Sequence, residues 1–267
     1  MSDYFGAYPG LDFERHEQGI LVITINRPEK LNATDAAMHN ALSRVWLDIH
    51  EDPQTRVVVV TGAGDAFSAG GDLDWVETMV NDYDGMRVAF KEAGELVYRM
   101  VHCEKIIISA INGMAVGAGL AVALMADISI IAEDARITDG HIRLGVAAGD
   151  HSNIIWPLLC GLAKAKYYLI TSDFIDGRTA DRIGLVSKSV PADDLMDEAM
   201  RIAAKIATGP QDAMRFTKRA LNLWVQQAAP ACDASLGFEM LNFMGPDVQE
   251  GALAIKEKRK PEYPSAR

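Results

Sequence analysis

The 267-residue chain has only three cysteines, Cys103, Cys160 and Cys232. They are odd in number, far apart and set among apolar neighbours, which excludes a disulfide framework and reads as buried free thiols. No Cys/His spacing suits zinc, so no metal site is expected. Positive charge is also short: 26 Lys and Arg against 37 Asp and Glu leave a formal net charge of −11. Such a surface repels polyanions at long range, which excludes nucleic acid and an anionic membrane as partners. An anionic ligand must then be met by a local cluster of cations. Met1 to Gly10 has neither a basic stretch nor an apolar core, so no secretory leader is expected and the expected location is cytoplasmic. One charge-free run, Ile106 to Ala126, has the length of a membrane span. Ser109, the turn pair Asn112-Gly113, Gly117 and Gly119 break it into a short strand and a small-residue helix.

What is present is a chain able to build a full core, with 49% hydrophobic and 24% charged residues. Ile20 to Ile25 and Val57 to Thr61 read as strands, the second covered on both faces. Asn32 to His50 reads as a helix with Ala37, Leu42, Val45, Trp46 and Ile49 on its apolar face. A long helical pattern spans Asp74 to Val101, followed by strands at Ile106 to Ala110 and Ile128 to Ala132 around a helix from Ala118. Alternation of this kind indicates an α/β core. From Asp193 onward the pattern is helical, interrupted near Gly209-Pro210, Pro230 and Gly245-Pro246. The division expected is a core over 1–195 and a helical segment over 196–267.

The glycine-rich stretch Gly62 to Gly71 follows a strand and precedes a helix, so its backbone N–H groups can converge on an anion. Its spacing is neither a P-loop nor a dinucleotide fingerprint. In order and spacing, Asn26-Arg-Pro-Glu-Lys-Leu-Asn-Ala33, Ala66-Phe-Ser-Ala-Gly-Gly-Asp-Leu73 and Asn112-Gly-Met-Ala-Val-Gly-Ala-Gly119 resemble the signature segments of the crotonase (enoyl-CoA hydratase/isomerase) superfamily. Asp176 to Val186 and Glu250 to Pro261 extend the resemblance over about residues 15 to 262.

The resemblance implies a spiral ββα core whose C-terminal helices assemble a trimer or a dimer of trimers. It implies an acyl-CoA substrate, with coenzyme A present only as part of that substrate and no bound cofactor besides. The N–H groups of Gly71 and Ala118 match the positions of an oxyanion hole for the thioester enolate. The Ala69 carbonyl matches an adenine contact, and Lys30 and Lys258 fall where members place cations near the coenzyme A phosphates.

The chain departs from the pattern at both glutamates of a hydratase, which fall on Ala121 and His141. His141, Asp150 and His151, in an otherwise apolar stretch, are the candidate replacements, with Asp150 handling protons and His141 assisting. The separation of His141 from Asp150 is similar to that in the β-diketone hydrolase branch, which acts on a carbon–carbon bond without coenzyme A. That branch lacks the basic tail found here, and its further His and Glu find no clear counterpart. Carbon–carbon hydrolysis and non-catalytic acyl-CoA binding are thus the alternatives to acyl-CoA conversion. On the other side, Asp150 is able to cap a following helix with His151 in its first turn. Asp72 is expected as a loop-fixing cap and Glu239 as structural unless a trimer neighbour brings it to a site. His16, His39, His50 and His102 are expected on the surface or in the core. Trp75, Met79 and Trp156 are expected mainly to pack, with an acyl pocket as the other use.

Overall fold

The computed structural model describes residues 4–267, so Met1, Ser2 and Asp3 of the segment read for a leader lie outside it. The chain runs β1 (Leu11–His16), β2 (Ile20–Ile25), α1 (Ala36–Glu51), β3 (Val57–Gly62), β4 (Ala66–Ser68), α2 (Leu73–Met79), α3 (Tyr83–His102), β5 (Ile106–Ile111), β6 (Met114–Val116), α4 (Gly117–Met125) and β7 (Ile128–Ala132). It continues through β8 (Arg136–Thr138), α5 (His141–Leu144), α6 (Ser152–Thr171), β9 (Ile175–Asp176), α7 (Gly177–Arg182), β10 (Lys188–Val190), α8 (Leu195–Ala207), α9 (Gln211–Gln227), α10 (Ala229–Phe243) and α11 (Asp247–Lys256).

A six-stranded sheet has the order β1-β2-β3-β5-β7-β10, parallel except for the β1–β2 hairpin. A smaller sheet has the order β4-β6-β8-β9. The chain alternates between them: β3 then β4, β5 then β6, β7 then β8. Each turn lays one strand in each sheet and leaves through a helix, which is the expected spiral α/β architecture with helices following at the C-terminus. Val57 to Val60 are buried on both faces, as continuous valine requires. Helix α8 packs on β3, β5 and β7, and α10 and α11 fold back over α2, α3, α5 and α6.

Three boundaries differ from the sequence expectation, each for a local reason. The helix expected from Asn32 starts at Ala36, because Leu31 and Asn32 are left-handed (φ 51° and 57°) and Asp35 caps the first turn by accepting from Met38 N at 2.9 Å. Met38 rather than Ala37 then joins Leu42, Val45, Trp46 and Ile49 on the buried face. The helical pattern from Asp74 to Val101 is two helices, parted at left-handed Asn81, with Asp82 capping the second by accepting from Asp84 N. The charge-free run to Ala126 is β5, β6 and α4, and no helix among the described residues is long and apolar enough to cross a membrane.

The loop at 62–72 lies against 112–119 at glycine-only distance. A Cβ on Gly113 would stand 2.0 Å from the Asp65 carbonyl oxygen, and one on Gly119 2.2 Å from Ser68 Cβ. Two asparagines tie the loop down. Asn112 Nδ2 donates to the carbonyls of Gly62 (3.0 Å) and Gly64 (2.8 Å), and its Oδ1 accepts from Gly62 N. Asn32, fully buried, donates to Ala63 O (2.8 Å) and Ala66 O (2.7 Å) and accepts from Arg27 N (2.8 Å).

Asn32→Ala removes three bonds at once, strands buried partners and puts a poor residue in the left-handed region. We expect it to lower unfolding free energy by about 3 kcal/mol, measured by urea denaturation with an unchanged slope. A loss below about 1 kcal/mol would show that the loop is held by other means.

Candidate active site

A cavity of about 630 Å³ opens between the loop at 69–76, α2, α3, the start of α4, residues 138–150 and α10. Gly71 and Ala118 both line it. Gly71 forms a parallel bridge with Thr34 in which the flanking groups do the bonding: Thr34 N donates to Gly70 O at 2.7 Å and Asp72 N donates to Thr34 O at 2.9 Å. The Gly71 N–H therefore points away from Thr34. Ala118 is in the first turn of α4, where N–H groups lack intrahelical partners and the helix dipole favours negative charge. Gly70 and Gly117, with φ 90° and 48°, let the two loops touch: a Cβ on Gly70 would lie 3.2 Å from Val116 O. Two backbone donors thus border one cavity, the requirement for stabilising a developing oxyanion.

The titratable groups come from residues 139–151 and from α10. Gly140 and Gly145, both left-handed, bracket the single turn of α5 and set His141 at its start. His141 Nδ1 contacts Asp139 Oδ2 at 2.9 Å, and its Nε2 lies 3.5 Å from Glu239 Oε1 and 3.8 Å from Asp150 Oδ2. Asp139 is fixed in turn by the Ser152 hydroxyl. Asp150 Oδ1 accepts from His151 N and pairs with His151 Nδ1, each at 2.6 Å. His141, Asp139, Asp150 and Glu239 line the cavity, whereas His151 is sealed behind Asp150 and holds it in place. The helix-cap alternative for Asp150 does not hold. Helix α6 begins after His151 without a side-chain cap, and the Asp150 carboxylate is spent on His151.

Electrostatics separates these groups. Burial alone would lower the His141 pKa, but the carboxylates of Asp139, Asp150 and Glu239 outweigh it and hold the pKa well above the ordinary histidine value. Burial would raise Asp150, but His151 and His141 outweigh that and hold it well below the carboxylate range. Asp139 is lowered likewise, its burial offset by His141. Glu239 goes the other way: burial raises it, beyond what His141 recovers, and Asp150 and Asp139 add to the rise. These shifts favour the charged form of His141 and leave Glu239 the weakest acid of the three carboxyl groups. Asp150, expected to handle protons, is thus a poor base, whereas His141 and Glu239 both hold a proton more tightly than usual, which sets them apart from Asp139 and Asp150.

Glu239 is the residue that sequence reasoning left as structural. The same chain's α10 brings it in, because Ser235 Oγ donates to Gly149 O at 2.7 Å and the Cys232 thiol faces Asp150 O at 3.6 Å. Its signal was an acid four residues after Ser235 on the buried face of that helix, with Cys232 and Leu236. Ala121 is buried within α4 and lies outside the cavity lining.

At the mouth, Ala69 and Lys30 line the cavity and Lys258 does not. Lys256 does, and its Nζ contacts Asp74 Oδ1 and Glu77 Oε2, both at 2.8 Å, while Lys30 lies 3.6 Å from Asp74 Oδ2. Asp72 caps α2 through Asp74 N and pairs with Arg27 at 2.9 Å, as a loop-fixing residue should. Trp75 and Met79 line the cavity, Trp156 is fully buried elsewhere, and His39, expected on the surface or in the core, is buried with its ring on the cavity.

The enoyl-CoA hydratase/isomerase family model matches residues 15–266. The chain is 32% identical to a crotonyl-CoA hydratase of Syntrophomonas wolfei over 96% of this chain and 98% of that one. It is similar to the crystal structure of an enoyl-CoA hydratase/isomerase from Mycobacterium paratuberculosis, with a TM-score of 0.87 and 35% identity over 91% and 97% of the two chains. It is also similar to the structure of a β-diketone hydrolase from the cyanobacterium Anabaena, with a TM-score of 0.84 and 27% identity over 91% and 98%. With the spiral of paired strands and the cavity between its loops, these matches make the chain a crotonase-superfamily enzyme that belongs to the enoyl-CoA hydratase/isomerase family.

Proposed function

We propose that the protein converts an acyl-CoA thioester by proton transfer at the carbon next to the thioester carbonyl. The observation that carries this reading is that Gly71 and Ala118, as backbone donors, and His141 with Glu239, as proton carriers, line one cavity. The thioester oxygen sits between the two N–H groups as the enolate forms, a term worth about 3 kcal/mol per donor. Glu239 takes the proton from carbon and His141 returns one to the enolate, the neutral imidazole then being recharged from Glu239. Asp139 and Asp150 keep His141 cationic. The nucleotide end of coenzyme A meets the Ala69 carbonyl, with Lys30 and Lys256, which share Asp74, as the lysines that line the cavity. Lys258, just past α11 and exposed, is available to phosphates at the entrance.

Trimeric assembly, or a dimer of trimers, accounts for the apolar side chains Phe216, Leu221, Trp224, Phe238 and Leu241 that one chain leaves exposed on α9 and α10. The protein is read as cytoplasmic and without cofactor beyond its substrate's coenzyme A.

A second reading is hydrolysis of a carbon–carbon bond in a cyclic β-diketone. It is favoured by Glu239, which joins His141 and Asp150 in one chain, and by the likeness to the Anabaena hydrolase. Water would add to one ketone, the bond to the central carbon would break, and His141 would protonate the departing enolate while the other side leaves as a carboxylic acid. Coenzyme A esters are expected to raise the melting temperature and to be turned over. Consumption of a cyclic diketone with no ester-induced shift would replace the first reading with the second.

The charges set the pH dependence. Glu239 must be ionised to act as base and its pKa is raised, so activity should fall on the acid side at a pH above the ordinary glutamate value of about 4.3. His141 must be protonated to act as acid and its pKa is raised, so activity should fall on the alkaline side above about 6.5. Steady-state profiles should lose the acid limb in Glu239→Gln and the alkaline limb in His141→Gln, each with a rate loss of about a hundredfold or more. Profiles unchanged in shape would remove both residues from proton transfer. Asp150→Asn should lower kcat by a comparable factor while thioester binding, followed by calorimetry, is largely kept. Normal turnover by that variant would contradict a role for Asp150 in charging His141.

A further inference from the structure

The cavity carries a second polar group that the reaction described above does not use. His39, on α1, is buried and borders the cavity with Trp75, their ring centroids 5.0 Å apart. Nδ1 is taken by Glu92 Oε2 of α3 at 2.8 Å. Glu92 is itself fixed by Asn40 Nδ2 on Oε1 at 2.7 Å. Burial would raise the Glu92 pKa, but the bonds from His39 and Asn40 outweigh it and hold it low, so it is a carboxylate. No group among the described residues bonds to Nε2, yet that atom is not sealed. The buried ring nitrogens without a partner are those of Trp46, Trp156 and His151, and His39 is not among them. His39 is one of the residues that border the cavity.

The neighbouring wall is apolar: Trp75, Met79, Met86, Phe90 and Ala93. A clamp between α1 and α3 needs only one nitrogen, and two aliphatic residues would pack the same helices without stranding an imidazole edge in an oily wall. Few, fixed polar atoms in an apolar pocket are what select a ligand. We propose that His39, oriented by Glu92, recognises a hydroxyl or carbonyl oxygen carried on the acyl group away from the thioester. The inference rests on the thioester reading and names its substrate class: oxygenated acyl-CoA rather than plain hydrocarbon chains. A hydroxyl donates to the Nε2 lone pair of the neutral ring, and a carbonyl accepts from Nε2–H of the charged one. Both use the same atom in the same place.

The test measures binding of plain medium-chain acyl-CoA thioesters against analogues with one hydroxyl or keto oxygen at successive carbons, by calorimetry, with wild type, His39→Leu and His39→Gln. In wild type one position of oxygen should bind about tenfold tighter than the plain chain. His39→Leu should abolish that preference while keeping or improving affinity for the plain chain, and His39→Gln should keep part of it. A residue that merely packs would weaken both ligands together and leave their ratio alone. Equal binding of plain and oxygenated thioesters by wild type, or a preference that survives in His39→Leu, overturns the inference and leaves the thioester reading intact. Failure of every thioester to bind overturns both.

Discussion

Much of this molecule depends on how closely two backbones approach. The segments at 62–72 and 112–119 touch where only hydrogen fits as a side chain, at Gly113 and Gly119. That contact sets the spacing between the Gly71 and Ala118 N–H groups, and with it the cavity between the loops. It is maintained by specific polar anchors rather than by apolar packing alone. Asn32 and Asn112 satisfy carbonyls of residues 62–66, at about 1 kcal/mol of net stability for each bond. Gly71 and Ala118 contribute main-chain groups, so this half of the site depends on these anchors rather than on side chains of its own.

The other half is electrostatic and works against solvation. Taking His141 out of water disfavours its charge, but three carboxylates surround it and their sum prevails. Among those three the environments diverge. Asp139 and Asp150 each have a second partner, Ser152 and His151, that stabilises the anion, whereas one oxygen of Glu239 is buried without any. The unpartnered carboxylate is the one whose proton affinity rises. A buried ionic cluster of this kind contributes little to stability, and its persistence fits a site whose charges are used.

The order of strands and helices was legible because the hydrophobic pattern changes period at each element, and the two loops because glycine and asparagine stood where a turn or a close contact was needed. Helix starts were less legible: nothing in Leu31-Asn32 or Asn81 distinguishes a left-handed residue from a helical one, since a tertiary partner decides. The backbone donors at Gly71 and Ala118 came through the resemblance, and the structure puts both on one cavity. His141 and Asp150 were visible as polar residues in an apolar stretch, but their division of labour was not, because it follows from partners remote in sequence. Glu239 and Lys256 were missed for that same reason. Each sits on a late helix where an acid or a lysine is ordinary, and only the folding back of α10 and α11 brings it to the cavity.

That folding back also gives the site an order of assembly. Gly71 and Ala118 lie in the first half of the chain and His141 and Asp150 near its middle, while the helix that backs the Asp150 loop through Ser235 and delivers Glu239 is among the last parts to be made. A polypeptide whose α10 has not yet been made therefore lacks one wall of the cavity and the Glu239 carboxylate. On the proposed reading, any chain ended before α10 is without its base, so turnover would double as a readout that synthesis reached the last helices.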